Sequence, residues 1–276
     1  MKRQILSAVS AMILSMTAFA AKVDTISVAS QGYLETPMRV AVITPESARP
    51  DAGYRTVYLL NGYGGDHRAW LKTQPRLPEL ADQYGMVIVM PDGRDSWYWD
   101  SPVDKGMQME SFITKVLVPY INDNYDVDRR ASHRAITGLS MGGHGALWLS
   151  MRHPDIFGNA GSMSGGVDIR PFPKSWKMAK RLGDKESNPE LWERMTVINL
   201  VDSLKPGTLN ITFDCGRDDF FAKVNNNLHE RLDEAGIAHD YTVRPGAHTH
   251  KYWGNSILYH LLFFNEAFNA KPAEKK

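Results

Sequence analysis

The pentapeptide Gly138-Leu139-Ser140-Met141-Gly142 constrains the fold of this chain more than any other sequence feature. It joins an apolar run, residues 134–137, to a stretch of small residues that is typical of a tightly packed helix start. A serine at such a corner has a strained backbone, which is tolerated because its glycine neighbours carry no side chain. The pattern therefore predicts a buried strand, a sharp turn and a helix, with the Ser140 hydroxyl at the sheet edge. The alternative is a tight turn without chemistry.

Apolar runs alternate with longer helical stretches along the whole chain. This alternation predicts an α/β fold of the α/β-hydrolase type, with a mostly parallel sheet covered by helices on both faces. Strands are expected at residues 38–43, 56–60, 86–90, 134–137, 160–163, 209–213 and 241–244. Helices are expected at residues 77–83, 108–124, 142–152, 191–203, 226–235 and 255–268. Residues 168–205, rich in proline and charge, interrupt the alternation and predict a small cap insertion that shapes a pocket.

The first 20 residues have the pattern of a secretory signal peptide. Lys2 and Arg3 precede an apolar stretch that is too short to span a bilayer, and Ala18-Phe19-Ala20 is typical of a cleavage site. No cysteine stands directly after the apolar stretch, which excludes a lipoprotein. We therefore expect a periplasmic or secreted protein without a membrane span, in which residues 21–276 form one domain with a frayed tail.

Composition excludes other classes of protein. The chain has 32 basic and 31 acidic residues and no basic run, so no nucleic-acid partner is expected. Cys215 is the only cysteine, which excludes an internal disulfide, and its position at the end of an apolar strand predicts a buried packing role. We expect a small-molecule or oligosaccharide ester as the partner, and the sequence is compatible with a homo-oligomer.

A serine becomes a useful nucleophile when an imidazole accepts its proton and a carboxylate orients that imidazole. Both partners are present after strands downstream of Ser140. We favour Asp219 over its neighbour Asp218 as the acid, and His248, directly after a Pro-Gly turn, over His250 as the base. The pair His248 and His250 could also begin a zinc site, but no third ligand accompanies them, so no metal and no cofactor are predicted.

A tetrahedral intermediate also needs two backbone donors. We expect one to be the N–H of Met141, beside the serine, and the other to be the N–H of Tyr63. Tyr63 lies in a glycine-rich loop, residues 61–65, that directly follows an apolar strand. A dinucleotide-binding loop is excluded here because its third glycine would fall at His67. The histidines His67, His144 and His153 are expected to be surface or packing residues.

Several motifs together resemble the esterase D family of α/β-hydrolases. They occur in the family's order along the chain and comprise residues 59–70, 91–98, 138–143, 214–220 and 246–253. The resemblance covers residues 38–268 and implies Ser140, Asp219 and His248 as a catalytic triad, with Tyr63 and Met141 as oxyanion donors. The family includes carboxylesterases, S-formylglutathione hydrolases, feruloyl and acetyl-xylan esterases, and mycolyltransferases of the antigen 85 group.

One departure from the family pattern lies in the loop that carries Tyr63. Relatives often have His-Gly where this chain has Asn61-Gly62. Because the donor is a backbone N–H, we expect the oxyanion hole to persist with different supporting hydrogen bonds.

The leading hypothesis is an exported serine esterase that cleaves short-chain esters through an acyl-enzyme intermediate. An S-formylglutathione hydrolase, a mycolyl-type acyltransferase and a non-catalytic carbohydrate-binding protein on the same scaffold are the alternatives. Four loop aromatics are expected to contact a sugar or phenolic ring: Trp97, Tyr98, Trp176 and Trp253.

Overall fold

The computed structural model describes residues 21–270 and contains one eight-stranded sheet. The strand order is β1-β2-β4-β3-β5-β6-β7-β8. Strand β2 pairs antiparallel with both β1 and β4, whereas β4, β3, β5, β6, β7 and β8 are all parallel to one another. The strands are β1 (Lys22–Val28), β2 (Met38–Thr44), β3 (Arg55–Leu60), β4 (Met86–Pro91), β5 (Arg134–Gly138), β6 (Asn159–Met163), β7 (Asn210–Gly216) and β8 (Asp240–Arg244). The predicted α/β-hydrolase architecture is confirmed.

Helices cover both faces of the sheet. They are α1 (Ala69–Thr73), α2 (Leu77–Tyr84), α3 (Met109–Phe112), α4 (Val118–Asn124), α5 (Met141–Arg152), α6 (Met178–Leu182), α7 (Pro189–Arg194), α8 (Ala222–Glu234) and α9 (His250–Asn269). A π-helical turn, Ile113–Leu117, joins α3 to α4, and short 3₁₀ helices occupy Ala131–His133 and Val197–Ser203. No helix of the described residues is long and apolar enough to cross a membrane.

Alternating side chains of the strands divide the core into two layers. Tyr58 and Leu60 of β3 pack in one cluster with residues of α3, α4, α5 and α8, whereas Val57 and Leu59 pack in the other with residues of α1, α2 and α9. This division follows from the two-residue period of a strand, since successive side chains point to opposite faces. The central strands β4, β3, β5 and β6 are therefore buried on both sides of the sheet, which is typical of parallel strands covered by helices on both faces.

All seven predicted strands and most predicted helices are confirmed, with differences at the ends. The first strand, Lys22–Val28, was not predicted from the sequence, because its residues are half-exposed and polar. The helix predicted at 191–203 is wrong as one element: α7 ends at Arg194 and a separate 3₁₀ helix begins at Val197. Helix α9 begins at His250 rather than at 255, because the hydroxyl of Thr249 accepts the N–H of Tyr252 and caps it.

The segment 168–205 lies between β6 and β7 and contains α6, α7 and a 3₁₀ helix. It is anchored through Arg181, whose guanidinium is buried and pairs with Asp95 and Asp104 on the loop after β4. The signal peptide predicted for residues 1–20 and the tail 271–276 lie outside the described residues.

A buried polar network joins β5, β7 and α9 behind the carboxyl ends of the strands. Asp214 accepts hydrogen bonds from His260 (2.9 Å) and Ser256 (2.8 Å), and the other ring nitrogen of His260 lies 2.8 Å from the hydroxyl of Thr137. Arg244 of β8 also contacts the Asp214 carboxylate at 3.0 Å. Burial raises the pKa of Asp214, but the hydrogen bond from His260 and the positive charges of His260 and Arg244 outweigh it, so the net pKa lies below the ordinary value.

The depressed pKa of Asp214 predicts acid-sensitive stability. The ionised carboxylate contributes stability above the ordinary aspartate pKa of about 3.9, and this contribution is lost as pH falls through the lower pKa of the folded state. At neutral pH, Asp214→Asn should lower the free energy of unfolding by about 3–5 kcal/mol, because it leaves the guanidinium of Arg244 without its counter-charge. The decrease of the free energy of unfolding at acidic pH should also be smaller in this variant than in the wild type. Urea unfolding between neutral and acidic pH measures both effects.

The matched control for Asp214 is Asp24→Asn on the same sheet. Asp24 pairs with Lys22 at 2.8 Å, but both side chains are exposed, so the cost should be about 0–1 kcal/mol. Equal losses in the two variants would show that the buried network has no special role.

Candidate active site

Ser140 occupies the turn between β5 and α5 with a backbone φ of 55° and ψ of −116°. Such a conformation costs about 1–3 kcal/mol for a residue with a side chain and persists only where the surroundings enforce it. Here the N–H of Ser140 donates to the Met163 carbonyl at 2.9 Å, and its carbonyl accepts the N–H of His144 at 3.0 Å. The turn is therefore held from β6 on one side and from α5 on the other.

Gly142 allows α5 to begin directly against β3. A Cβ atom at this position would lie 2.5 Å from the carbonyl oxygen of Leu60 and 2.8 Å from that of Asn61. Both are backbone atoms that cannot move aside cheaply. The absence of a side chain thus brings the first turn of α5 next to the loop that follows β3.

His248 and Asp219 lie beside Ser140, as the sequence predicts. The Nε2 atom of His248 is 2.9 Å from the Ser140 Oγ, and its Nδ1 is 2.8 Å and 3.0 Å from the two carboxylate oxygens of Asp219. Asp219 also accepts the N–H of Phe221 at 2.8 Å, and its side chain is 0% exposed, compared with 17% for His248. The carboxylate is therefore fixed, and the imidazole is oriented between it and the hydroxyl.

Neither alternative residue takes part in the hydrogen bonds that join Ser140, His248 and Asp219. Asp218 is exposed on the surface, and the Nδ1 atom of His250 lies 2.8 Å from the hydroxyl of Thr73 on α1. Among residues 21–270, His248 and His250 do not join a third ligand in a metal-binding arrangement.

The two predicted backbone donors lie at the same end of the sheet. Met141 is the first residue of α5, so its N–H has no acceptor within the helix and lies at the positive end of the helix dipole. Tyr63 lines the same pocket as Ser140. Within residues 21–270, neither N–H donates to a backbone or side-chain acceptor, so both are free for a ligand oxygen.

Asn61 supports the loop that carries Tyr63 through three hydrogen bonds. Its side-chain oxygen accepts the N–H of Gly93 at 2.9 Å and the hydroxyl of Tyr98 at 3.2 Å, and its amide donates to the carbonyl of Gly62 at 2.9 Å. Asn61 thus ties the loop after β3 to the loop after β4.

The four predicted substrate-contacting aromatics divide into two pairs. Trp176 and Trp253 line the pocket, and the Trp253 ring meets the His248 ring edge-on at 4.7 Å. Trp97 and Tyr98 do not line the pocket, because both are buried beneath the site. The prediction that they contact the substrate is therefore wrong. Tyr98 packs its ring against the backbone of Gly93 and Gly145, where a Cβ atom would overlap it, and Trp97 stacks on Trp99. Both residues have a positive φ, which directs their rings into the core.

The remaining histidines differ in environment. Burial lowers the pKa of His144 to about 3, so this residue is a neutral packing group whose Nδ1 contacts the Gly166 carbonyl. His67 is buried, and His153 pairs with Glu110 at 2.7 Å. Cys215 is a buried free thiol, and burial raises its pKa, as expected for a packing residue.

The pocket above Ser140 has a volume of about 560 Å³ and is open to solvent on one side. Part of its lining is polar and comes from the loop after β3 and from α1. These polar residues, which were not predicted from the sequence, are Asp66, Lys72 and Thr73. Phe220 was also missed. It is half exposed, and its ring lies 4.2 Å from that of His248 and stacks on Trp176 at 5.7 Å. Its position directly after Asp219 was the available signal.

Comparisons with known proteins identify the family of the chain. A family model described as "Putative esterase" matches residues 31–264. An acetyl esterase of Caldicellulosiruptor saccharolyticus is 28% identical over 217 residues, covering 74% of this chain and 80% of the relative. An S-formylglutathione hydrolase of Bos taurus is 27% identical over 210 residues, covering 68% and 72%.

Among solved structures, a ferulic acid esterase superposes with a TM-score of 0.76 at 26% identity, covering 91% of this chain and all of the other. The family match, residues 31–264, begins before β2, ends within α9 and includes each residue placed around the pocket. The chain belongs to this esterase family of the α/β-hydrolase fold and is a carboxylic ester hydrolase.

Proposed function

We propose that the protein is an exported serine esterase that hydrolyses short-chain acyl esters through an acyl-enzyme intermediate. The observation that carries this proposal is the continuous chain of hydrogen bonds from Ser140 through His248 to Asp219 at the floor of an open pocket. In this reading Ser140 is the nucleophile, His248 the general base and Asp219 the group that orients it.

The reaction follows from these positions. The Oγ atom of Ser140 attacks the ester carbonyl while His248 Nε2 accepts its proton, and Asp219 stabilises the imidazolium that forms. The N–H groups of Tyr63 and Met141 donate to the oxyanion. Collapse of the tetrahedral intermediate breaks the C–O bond, and His248 returns the proton to the departing alcohol. Water then attacks the acyl-serine by the same route, releasing the acid and restoring Ser140.

The pocket lining supports a small acyl group and a ring-bearing or hydroxylated alcohol. Trp176 and Trp253 supply aromatic surface, and Asp66, Lys72 and Thr73 add polar groups to the lining. Within the described part of segment 168–205, Trp176 alone lines the pocket, so the insertion offers no extended apolar channel. The acetyl esterase and ferulic acid esterase among the similar proteins are consistent with such substrates.

Export is supported by the sequence of residues 1–20 and by the surroundings of Ala21. The N–H of Ala21 donates to the Asp82 carboxylate at 2.7 Å, and the Ala21 side chain is buried. Cleavage after Ala20 would convert this N–H into an ammonium group next to a carboxylate, which stabilises the mature start of β1.

Replacing Ser140 by alanine should abolish turnover without unfolding the protein. We expect kcat/KM for p-nitrophenyl acetate to fall by roughly 10⁴–10⁶-fold, because the covalent nucleophile is lost. A fluorophosphonate probe should label the wild type and not the variant, and circular dichroism should be unchanged. Near-normal hydrolysis by the folded variant would contradict the serine mechanism.

Two matched pairs test the roles of the base and the acid. His248→Ala and Asp219→Asn should each lower kcat by roughly 10³–10⁴-fold or more. His250→Ala and Asp218→Asn should cost roughly tenfold or less, because His250 binds Thr73 and Asp218 is exposed. Steady-state kinetics of the four purified variants measure this difference. Equal losses within either pair would show that the assignment of that residue is wrong.

Activity should decline with acyl chain length. We expect acetyl and butyryl p-nitrophenyl esters to be cleaved at least about tenfold faster in kcat/KM than the palmitoyl ester, since the pocket lacks an extended apolar wall. S-formylglutathione and an acceptor alcohol belong in the same assay. A maximum at C12 or longer, or with S-formylglutathione, or dominant transfer to the alcohol, would instead favour a lipid-directed enzyme, a thioesterase or an acyltransferase.

The mature protein should begin at Ala21. Small residues at positions 18 and 20 suit signal peptidase, and the apolar segment is too short to remain as an anchor. Amino-terminal sequencing of protein recovered from the periplasm or medium measures the cleavage site. A functional cytosolic chain that still begins at Met1 would contradict export.

A further inference from the structure

A second group of polar side chains lies at the opposite end of the sheet from Ser140. His229 and Asp233 are one turn apart near the end of α8, and His239 directly precedes β8. His248, by contrast, follows the carboxyl end of β8. One ligand atom from each of His229, Asp233 and His239 lies within 4.8 Å of the others, and none of the three takes part in the proposed reaction.

His239 presents an oriented lone pair to this group. Its Nδ1 atom lies 2.7 Å from the carbonyl oxygen of Ile237, and because a carbonyl oxygen only accepts, this nitrogen carries the hydrogen. In the neutral ring the lone pair is therefore on Nε2. The side chain is 2% exposed and stacks on Phe213 at 5.6 Å, so the lone pair has a fixed direction. A backbone carbonyl commonly fixes a metal-binding histidine in this way.

The Nδ1 atom of His229 is the second nitrogen of this group. It lies 2.8 Å from the Nε2 of His239, so without a metal one hydrogen lies between the two nitrogens. A metal ion in place of that hydrogen would accept a lone pair from each ring. A carboxylate oxygen of Asp233 lies 3.9 Å from the same Nε2 of His239 and offers a negatively charged third ligand.

We propose that His229, Asp233 and His239 bind one divalent transition-metal ion, with Zn²⁺ the best match to the ligands. Two imidazoles and one carboxylate are a typical zinc set, with water in the fourth position. Zinc–nitrogen bonds of about 2.1 Å place tetrahedral ligand atoms about 3.4 Å apart. The distance of 3.9 Å between the Nε2 of His239 and a carboxylate oxygen of Asp233 is about half an ångström longer than this value.

Metal binding requires a small movement of one side chain. The two imidazole nitrogens, now 2.8 Å apart, must separate by roughly half an ångström to share a tetrahedral ion. His229 can make this shift because its side chain is 40% exposed, whereas His239 is held by Ile237 and Phe213.

The ion would join the end of α8 to the edge strand of the sheet. Because the three ligands converge only in the folded chain, bound metal should stabilise the protein. The site lies at the other end of β8 from His248, so ester hydrolysis should proceed at the same rate with and without the ion. This inference therefore stands independently of the proposed mechanism.

The test uses the full chain purified without a histidine tag, treated with EDTA and dialysed. Titration with Co²⁺, followed by its visible absorption, should give one ion per chain that Zn²⁺ displaces, and Zn²⁺ should raise the Tm. His229→Gln and Asp233→Asn should each weaken Co²⁺ binding by at least about tenfold and remove the Tm shift. Both side chains are exposed enough for the fold to persist, and kcat/KM for p-nitrophenyl acetate should stay at the wild-type value.

His250→Gln is the matched control, because it removes a histidine at the active-site end of the sheet. Its Co²⁺ affinity and Zn²⁺-dependent Tm shift should equal those of the wild type. Substoichiometric binding by the wild type, or binding that survives His229→Gln and Asp233→Asn, would overturn the proposal. Binding that is lost in His250→Gln would place the ion at the other end of the sheet and would overturn it as well.

Discussion

The close approach of α5 to β3 determines the arrangement of the whole active-site end of the sheet. Gly142 has no side chain, so the first turn of α5 lies against the carbonyl groups of Leu60 and Asn61. This contact places the free N–H of Met141 near the loop that carries Tyr63. The strain in Ser140 is the consequence, because the chain must reverse within one residue to make the contact. A less strained turn would separate the hydroxyl from its neighbouring donors.

The active site also requires that the loops carrying Asp219 and His248, which are distant from Ser140 in sequence, lie at fixed positions beside it. The buried network of Asp214, His260 and Thr137 joins three elements just behind the site. Asp219 follows the strand that carries Asp214, and His248 precedes the helix that carries His260. A polar network buried in the core is costly unless every member has a partner, and here its members join the elements that position the acid and the base. The acid and the base are therefore held in place by hydrogen bonds buried directly beneath the pocket.

The sequence predicted the parts of this structure that depend on local pattern. Apolar runs and the Gly-x-Ser-x-Gly corner located the parallel strands and Ser140, and the order of loops after strands located Asp219 and His248. Other features depend on tertiary contacts. The direction of an aromatic ring on a loop cannot be read from its position, so Trp97 and Tyr98 were assigned to the pocket although a positive φ turns both into the core. Helix α1 is too short to give a periodic signal, and His239 meets His229 only because a turn reverses the chain between them.

The packing of Tyr98 has a consequence for how such a sequence can diverge. Its ring fills the space that side chains at Gly93 and Gly145 would occupy, and its hydroxyl donates to the Asn61 carbonyl at 3.0 Å. Any larger residue at Gly93 or Gly145 is excluded while the tyrosine is present, and a smaller residue at position 98 leaves a cavity between two glycines. Packing thus couples the residue types that these three positions can hold. A lineage can change them only together, or through an intermediate that is less stable than either end state.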